Sequence, residues 1–198
     1  GLSGPLGQPV VVDNRGGASG AIAGETVAKG VPDGHLLLLY GSNIWLLPFL
    51  RDRVPYDPVR DLAPVTLAVR APNILVVHPS LPVRSVKELI ALAKARPGQL
   101  NYASSGSGAA AHLSGELFKA MAHVDLVHVP YKGAAPALND VLAGQDQLMF
   151  ATSLSVMPHI QSGRLRALAV TTARRMQALP ELPTVTEAGV AGFEATTW

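Results

Sequence analysis

The chain has 198 residues, 48% hydrophobic and 15% charged, with 16 Lys and Arg against 14 Asp and Glu, a net charge of +2 and no cysteine. That is enough apolar material for one large or two small domains. It excludes disulfides, thiolate zinc sites and a cysteine nucleophile, and with no Arg/Lys run it leaves nucleic acid unexpected as a partner.

Taken in chain order, GLSGPLGQPV reads as the tail of a helix entering a strand, so further sequence is expected upstream and the lack of a visible signal peptide carries little weight. Val10 to Val12 is an apolar strand, DNRGGASG a turn cluster, and Ala21 to Lys29 a helix. After the turn Pro32-Asp33-Gly34, the run HLLLLY (His35 to Tyr40) has the continuous apolarity of a central strand buried on both faces. It falls far short of the roughly 20 residues a membrane span needs, so no membrane insertion is expected. A short helix near Ile44 to Leu50 lies in an otherwise irregular, proline-rich stretch, and strands are expected at Ala63 to Val69 and Asn73 to Val77.

From there the alternation is regular. Helix Ser85 to Arg96 opens with Ser85 as N-cap and Glu88 completing a capping box. Strand Gln99 to Ala103, helix Ala110 to Ala122, strand Leu126 to Val129 and helix Ala135 to Ala143 follow, then strand Gln147 to Phe150, helix Ser155 to Ser162 and strand Ala167 to Thr171. The pattern predicts an α/β fold with an open parallel sheet and helices on both faces. A boundary is expected at Arg70-Ala71-Pro72, with the tail around Pro180, Pro183 and EAGVAG returning toward the first block.

The stretch NYASSGSGAAAHLSG (Asn101 to Gly115) carries the main functional signal. Gly106, Gly108 and Ala111 spell G-x-G-x-x-A between a strand and a helix, where main-chain N–H groups of Gly106 to Ala110 and the helix dipole favour an anion, phosphate or carboxylate alike. A dinucleotide also needs an acid at the end of the next strand, and that strand runs into Pro130-Tyr131-Lys132-Gly133; Asp125 sits before it, at the wrong edge. No Gly-Lys-Ser/Thr closes a P-loop either. A glycine turn can also serve only to pack helix on sheet, but Ser104, Ser105 and Ser107 add hydroxyls suited to a carboxylate and its waters. Other strand ends expected on the same side are Tyr40-Gly41-Ser42-Asn43, Tyr131-Lys132-Gly133 and Ala151-Thr152-Ser153, with Ser153 equally readable as a helix cap. The scattered histidines form no H-x-x-x-H or H-E-x-x-H pair, and Gly106-Ser107-Gly108 is too short for a nucleophile elbow. No metal, cofactor or catalytic residue is expected. His112, in the first turn of the helix, is the histidine with a functional chance, against the plainer role of packing or capping the loop.

Three blocks of the sequence resemble the Bug-type solute receptors of tripartite tricarboxylate transporters: Val11 to Leu38, Leu100 to Gln145 and Ser162 to Trp198. The resemblance implies a two-lobed periplasmic-binding-protein-like (type II) fold, here with lobe one incomplete: residues 1–71 as part of lobe one, 72–184 as the inserted lobe two, and 185–198 returning toward lobe one. It implies a periplasmic receptor that closes on a small carboxylate and presents it to membrane transporter subunits, with no enzymatic activity. The ligand would be held by Ser104, Ser105, Gly106, Ser107, Gly108, Ala109 and Ala110, with Thr152, Ser42, Asn43, Tyr131, Lys132 and Gly133 around it. Ala109 and Ala151 stand where many members carry polar groups, which points to a less polar or aromatic acid. The competing reading is an α/β enzyme or a sensor module that uses the same loop for a phosphorylated or other anionic ligand.

Overall fold

A computed structural model describes residues 2–197, so Gly1 and Trp198, the outermost positions of the expected division, lie outside the described residues. Residues 2–70 contain helices α1 (Ser3–Leu6), α2 (Ala21–Ala28) and α3 (Asn43–Leu50), with a 3-10 turn at Ala18–Gly20 leading into α2. Their small core is Ala21, Ile44, Leu47 and Tyr56. The Tyr56 hydroxyl donates to the Ile44 carbonyl at 3.1 Å.

The strands expected at Val10–Val12, His35–Tyr40 and Ala63–Val69 do not form; among the described residues these segments pair with no neighbour. Val11 is 85% exposed, Leu39 79% and Val65 80%. Apolarity makes a segment suited to burial, but a strand exists only where a second one supplies its hydrogen-bond ladder. His35–Tyr40 is therefore not the centre of a sheet here.

Residues 71–197 hold the sheet. Its strands are β1 (Ala71–Val77), β2 (Asn101–Ser104), β3 (Val127–Pro130), β4 (Leu148–Thr152), β5 (Arg166–Val170) and β6 (Thr196–Thr197). The order is β3-β2-β4-β1-β5, with β6 beside the start of β1. β2 pairs parallel with β3 and β4, but β1 runs antiparallel to β4, β5 and β6. The sheet is thus mixed rather than parallel throughout. Strand–helix alternation does not encode direction, and the long connection between β1 and β2 lets β1 enter the sheet from either end.

Period-two burial builds two layers on this sheet. Leu75 and Val77 join Tyr102, Phe118, Phe150 and Phe193 on one face, under α4 (Val86–Ala95) and α5 (Ala110–Ala122). Ile74 and Val76 join Ala103, Val141, Met149 and Val156 on the other, under α6 (Ala134–Leu142) and α7 (Ser153–Gln161). Helices on both faces match the expectation. α4 starts as expected, with the Ser85 hydroxyl accepting the Glu88 amide at 3.2 Å; the Glu88 carboxylate takes the Arg84 amide rather than that of Ser85.

The tail returns to the start of β1, where Thr196 pairs with Pro72. The Thr171 hydroxyl sits between the Asn73 and Ala195 carbonyls, joining the entering and returning chains at one point. Among the described residues no helix is long and apolar enough to cross a membrane.

Candidate functional site

The β2–α5 turn is shaped by its glycines. Gly106 has φ 132° and Gly108 φ 85°, conformations that strain other residues. A Cβ on Gly108 would also lie 3.2 Å from Leu50, and one on Gly106 3.3 Å from the Tyr131 carbonyl. The turn is therefore pressed between residues 19–50 and the end of β3. The Ser19 hydroxyl donates to the Ser107 carbonyl, and Asn43 Nδ2 donates to the Ser19 carbonyl at 2.8 Å.

The amides of the turn fall into two groups. Gly106 donates to Ser104 Oγ at 3.1 Å, Gly108 to His112 Nδ1 at 3.0 Å, and Ala109 to the Gly106 carbonyl at 3.1 Å. These three face inward. The first turn of α5 differs: Leu113 is the first residue to donate back, to Ala109 at 3.0 Å, which leaves the amides of Ala110, Ala111 and His112 at the helix start for an incoming acceptor.

That helix start opens on a cleft of about 190 Å³ lined by Ser105, Ala109, Ala110 and Ala111, by Tyr40, Gly41 and Asn43, and by Asn73, Ala134, Thr152 and Ser155, with Met149 to Ala151 behind them. It lies at the carboxyl ends of β2 and β4, where open α/β sheets take ligands. Its polar groups are neutral, and no lysine, arginine or histidine lines it among the described residues. A larger hollow of about 440 Å³ lies at the other end of β5, between Pro79, Ile160, Arg166 and Leu182. Its Arg166 guanidinium is already bonded to the Leu81 and Val83 carbonyls and an acidic side chain, Glu181, shares its wall, so the smaller cleft is better suited to an anion.

Of the residues singled out in the sequence, Ser105, Ala109, Ala110, Asn43 and Thr152 line this cleft. Ser104 is fully buried beneath the turn, Gly106 and Gly108 shape it, and Ser107 is exposed on its outside. Ser42 precedes α3 as its N-cap residue without a side-chain cap bond. Tyr131 points away from the cleft and donates to Asp140 and Asp146, each at 2.7 Å; burial and these two carboxylates push its hydroxyl well above the ordinary tyrosine range. Lys132 is exposed, and Gly133 (φ 131°) is the residue before α6. Asn73 and Ser155 were not singled out. Asn73, a 2%-exposed polar residue opening the apolar run ILVV, carried a legible signal, whereas Ser155 reads only as a helix residue.

Behind the turn lies a cluster the sequence did not reveal. His128 Nε2 is 2.6 Å from Ser104 Oγ, its ring stacks on Tyr102 at 4.9 Å between centroids, and the His112 ring is 4.2 Å away. The Tyr102 hydroxyl donates to Glu116, which also pairs with Lys119 at 2.9 Å. Burial, seconded by the neighbouring His112, pushes His128 down to about 4, and burial lowers His112 as well. Burial alone would raise Glu116, but the hydrogen bonds from Tyr102 and Lys119 hold it below its usual value. Both imidazoles are therefore neutral at pH 7.

A site of neutral donors and a bare helix start, at the strand ends of an α/β sheet, is an arrangement suited to an anion. The chain belongs to the tripartite tricarboxylate transporter receptor family, which it matches over residues 1–198. It is 42% identical, over its full length, to the UPF0065 protein in the tcbD-tcbE intergenic region of Pseudomonas sp. strain P51, and it spans 59% of that protein. Among solved structures, an R. palustris protein with adipate superposes with a TM-score of 0.92 at 42% identity, and the periplasmic binding protein BugD with 0.93 at 37%. In both, this chain is covered completely and spans 66% of the other. The fold is that of the periplasmic binding proteins.

Proposed function

We propose that this chain carries the acid-capturing part of an extracytoplasmic solute receptor, one that binds a small organic carboxylate in the periplasm and delivers it to a transporter of the tripartite tricarboxylate type. The observation that carries the reading is the start of α5: the Ala110 and Ala111 amides, with the Ser105 and Thr152 hydroxyls, bound a cleft that offers a carboxylate neutral donors and a helix dipole. The adipate in the R. palustris relative supports the ligand class. Small alanines at Ala109, Ala110, Ala111, Ala134 and Ala151 make the walls apolar, which suits an acid with a hydrocarbon body.

In this reading lobe two is residues 72–184, residues 1–71 and 185–198 belong to lobe one, and the junction at Asn73, Thr171 and Ala195 is where the lobes hinge. The exposed apolar runs between Val10 and Val69 are where the additional length of the relatives would pack. The receptor does no chemistry itself: Ser104, the serine bonded to His128, is 0% exposed, so no substrate reaches it. A nucleotide-binding enzyme is disfavoured because β3 runs into Pro130 and Tyr131 with no acid to hold a ribose.

A thermal-shift comparison tests this. Adipate at about ten times its Kd should add about 1.4 kcal/mol of stability, and nucleotides none. Stabilisation by nucleotides and by no organic acid would sink the reading.

A further inference from the structure

We propose that His112 and His128 are positioning residues for the anion site: as neutral imidazoles they hold the β2–α5 turn in its binding shape from behind, and protonation releases it, so capture weakens as the medium acidifies. The proposal rests on the receptor reading for its consequence, but its structural core stands apart from any ligand.

The geometry points to it as follows. His112 Nδ1 accepts the Gly108 amide at 3.0 Å, which fixes the ring proton on Nε2. A doubly protonated ring has no acceptor to offer, so Gly108 would lose its partner and face a donor instead. Ser104 Oγ accepts the Gly106 amide, and the 2.6 Å contact to His128 suits a hydroxyl donating to a neutral Nε2. If that nitrogen gained a proton it would donate to Ser104, whose own proton would have to turn to the Gly106 carbonyl, 3.2 Å away. Both left-handed glycines of the turn are thus tied to an imidazole, Gly108 directly and Gly106 through one hydroxyl. The same turn orients Ala109 and the open amides of Ala110 and Ala111.

The groups facing the pair decide how it titrates. From α5 come the Glu116 carboxylate, which favours a charged imidazole, and the Lys119 ammonium, which opposes one; from β2 comes the Tyr102 ring, and from β3 His128 itself. With ring centroids 4.2 Å apart, one charge also discourages the other. The ordinary value of 6.5 is lowered for both, for His128 to about 4. Between these values the unfolded chain takes up protons that the folded chain refuses, so stability is full above pH 6.5 and declines as the pH falls towards 4, where the folded His128 ring itself takes a proton and the turn loosens.

Amide NMR on the chain, without ligand, tests the proposal. His112→Asn places an amide oxygen near the Nδ1 position and His128→Gln one near Nε2; both keep an acceptor and neither titrates. In the unsubstituted chain the Gly106 and Gly108 amide signals should move together as the pH is lowered from 6.5 to below 4, through the range where His128 takes its proton, and in the double variant they should stay still. His112→Ala should speed hydrogen exchange at the Gly108 amide at least tenfold at neutral pH. The same pH course in the double variant as in the unsubstituted chain, or unchanged exchange in His112→Ala, would overturn the proposal. Neither readout needs an acid to bind, so failure of the receptor reading would show separately, as a chain that no organic acid stabilises.

Discussion

Phe118→Ala is expected to cost about 3–5 kcal/mol of folding stability, a large share of the roughly 5–15 kcal/mol typical of a domain. Phe118 is fully buried in the middle of α5, with its ring 5.7 Å from Phe150 and 6.3 Å from Phe193 between centroids. Phe150 belongs to β4 and Phe193 to the returning tail, so this one ring joins the site-bearing helix to the sheet and to the last segment of the chain. Truncation leaves a cavity that three separate elements cannot close together. Urea unfolding measures the loss as a lowered midpoint with little change in slope. A cost below about 1 kcal/mol would mean that the aromatic cluster is not the centre of the core.

Gly115→Ala is the second large effect, and its sign is unusual. In an ordinary helix interior alanine is favoured over glycine by about 0.5–1 kcal/mol. Here the added Cβ would lie 2.4 Å from Cε2 of Tyr102 and 2.7 Å from its Cζ. That ring cannot move aside: it is fully buried, stacked on His128, and its hydroxyl is bonded to Glu116. Overpacking should outweigh the helix gain and leave a net loss of about 1–3 kcal/mol. Because α5 would be pushed off β2, the β2–α5 turn should loosen with it. Thermal unfolding gives the first effect and amide exchange at Gly108 the second; a variant more stable than the parent would contradict the close packing described.

How much of this was legible in the sequence depends on whether a feature is local. From Ala71 onward, period-two apolar runs and amphipathic helices carry their own signal, and every expected element there forms. The direction of β1 was not legible, because the run ILVV is buried on both faces whichever way it runs. The strands expected before Ala71 failed for a related reason: Leu36 to Tyr40 is apolar enough for a sheet, but pairing depends on a neighbour that the segment itself does not encode.

The site divides the same way. Glycines after a strand, with serines between them, announced the turn, and Ser105, Ala109 and Ala110 line the cleft beside it. Which amides stay open was not legible. Gly108 is satisfied by a side chain four residues on, and Gly106 by Ser104, which in turn meets a histidine on the next strand. His112 was noticed for its place in the first turn, but its pairing with His128 depends on β2 and β3 lying parallel in register, Tyr102 opposite His128. Only the fold supplies that.

The central claim is that the open amides at the start of α5 hold a carboxylate. The most direct measurement is an amide NMR titration of the chain with adipate, repeated on Ala110→Pro. Proline is tolerated at the first position of a helix, and Ala109 (φ −69°, ψ 158°) already has the extended conformation that a following proline requires. The substitution deletes one donor while keeping the helix. Adipate should shift the amides of Ser105, Ala110, Ala111 and His112 in the parent chain, and at least tenfold more should be needed to shift those of Ser105, Ala111 and His112 in Ala110→Pro, with its melting temperature nearly unchanged. Shifts confined to other parts of the chain, or equal affinity in the folded variant, would contradict the account.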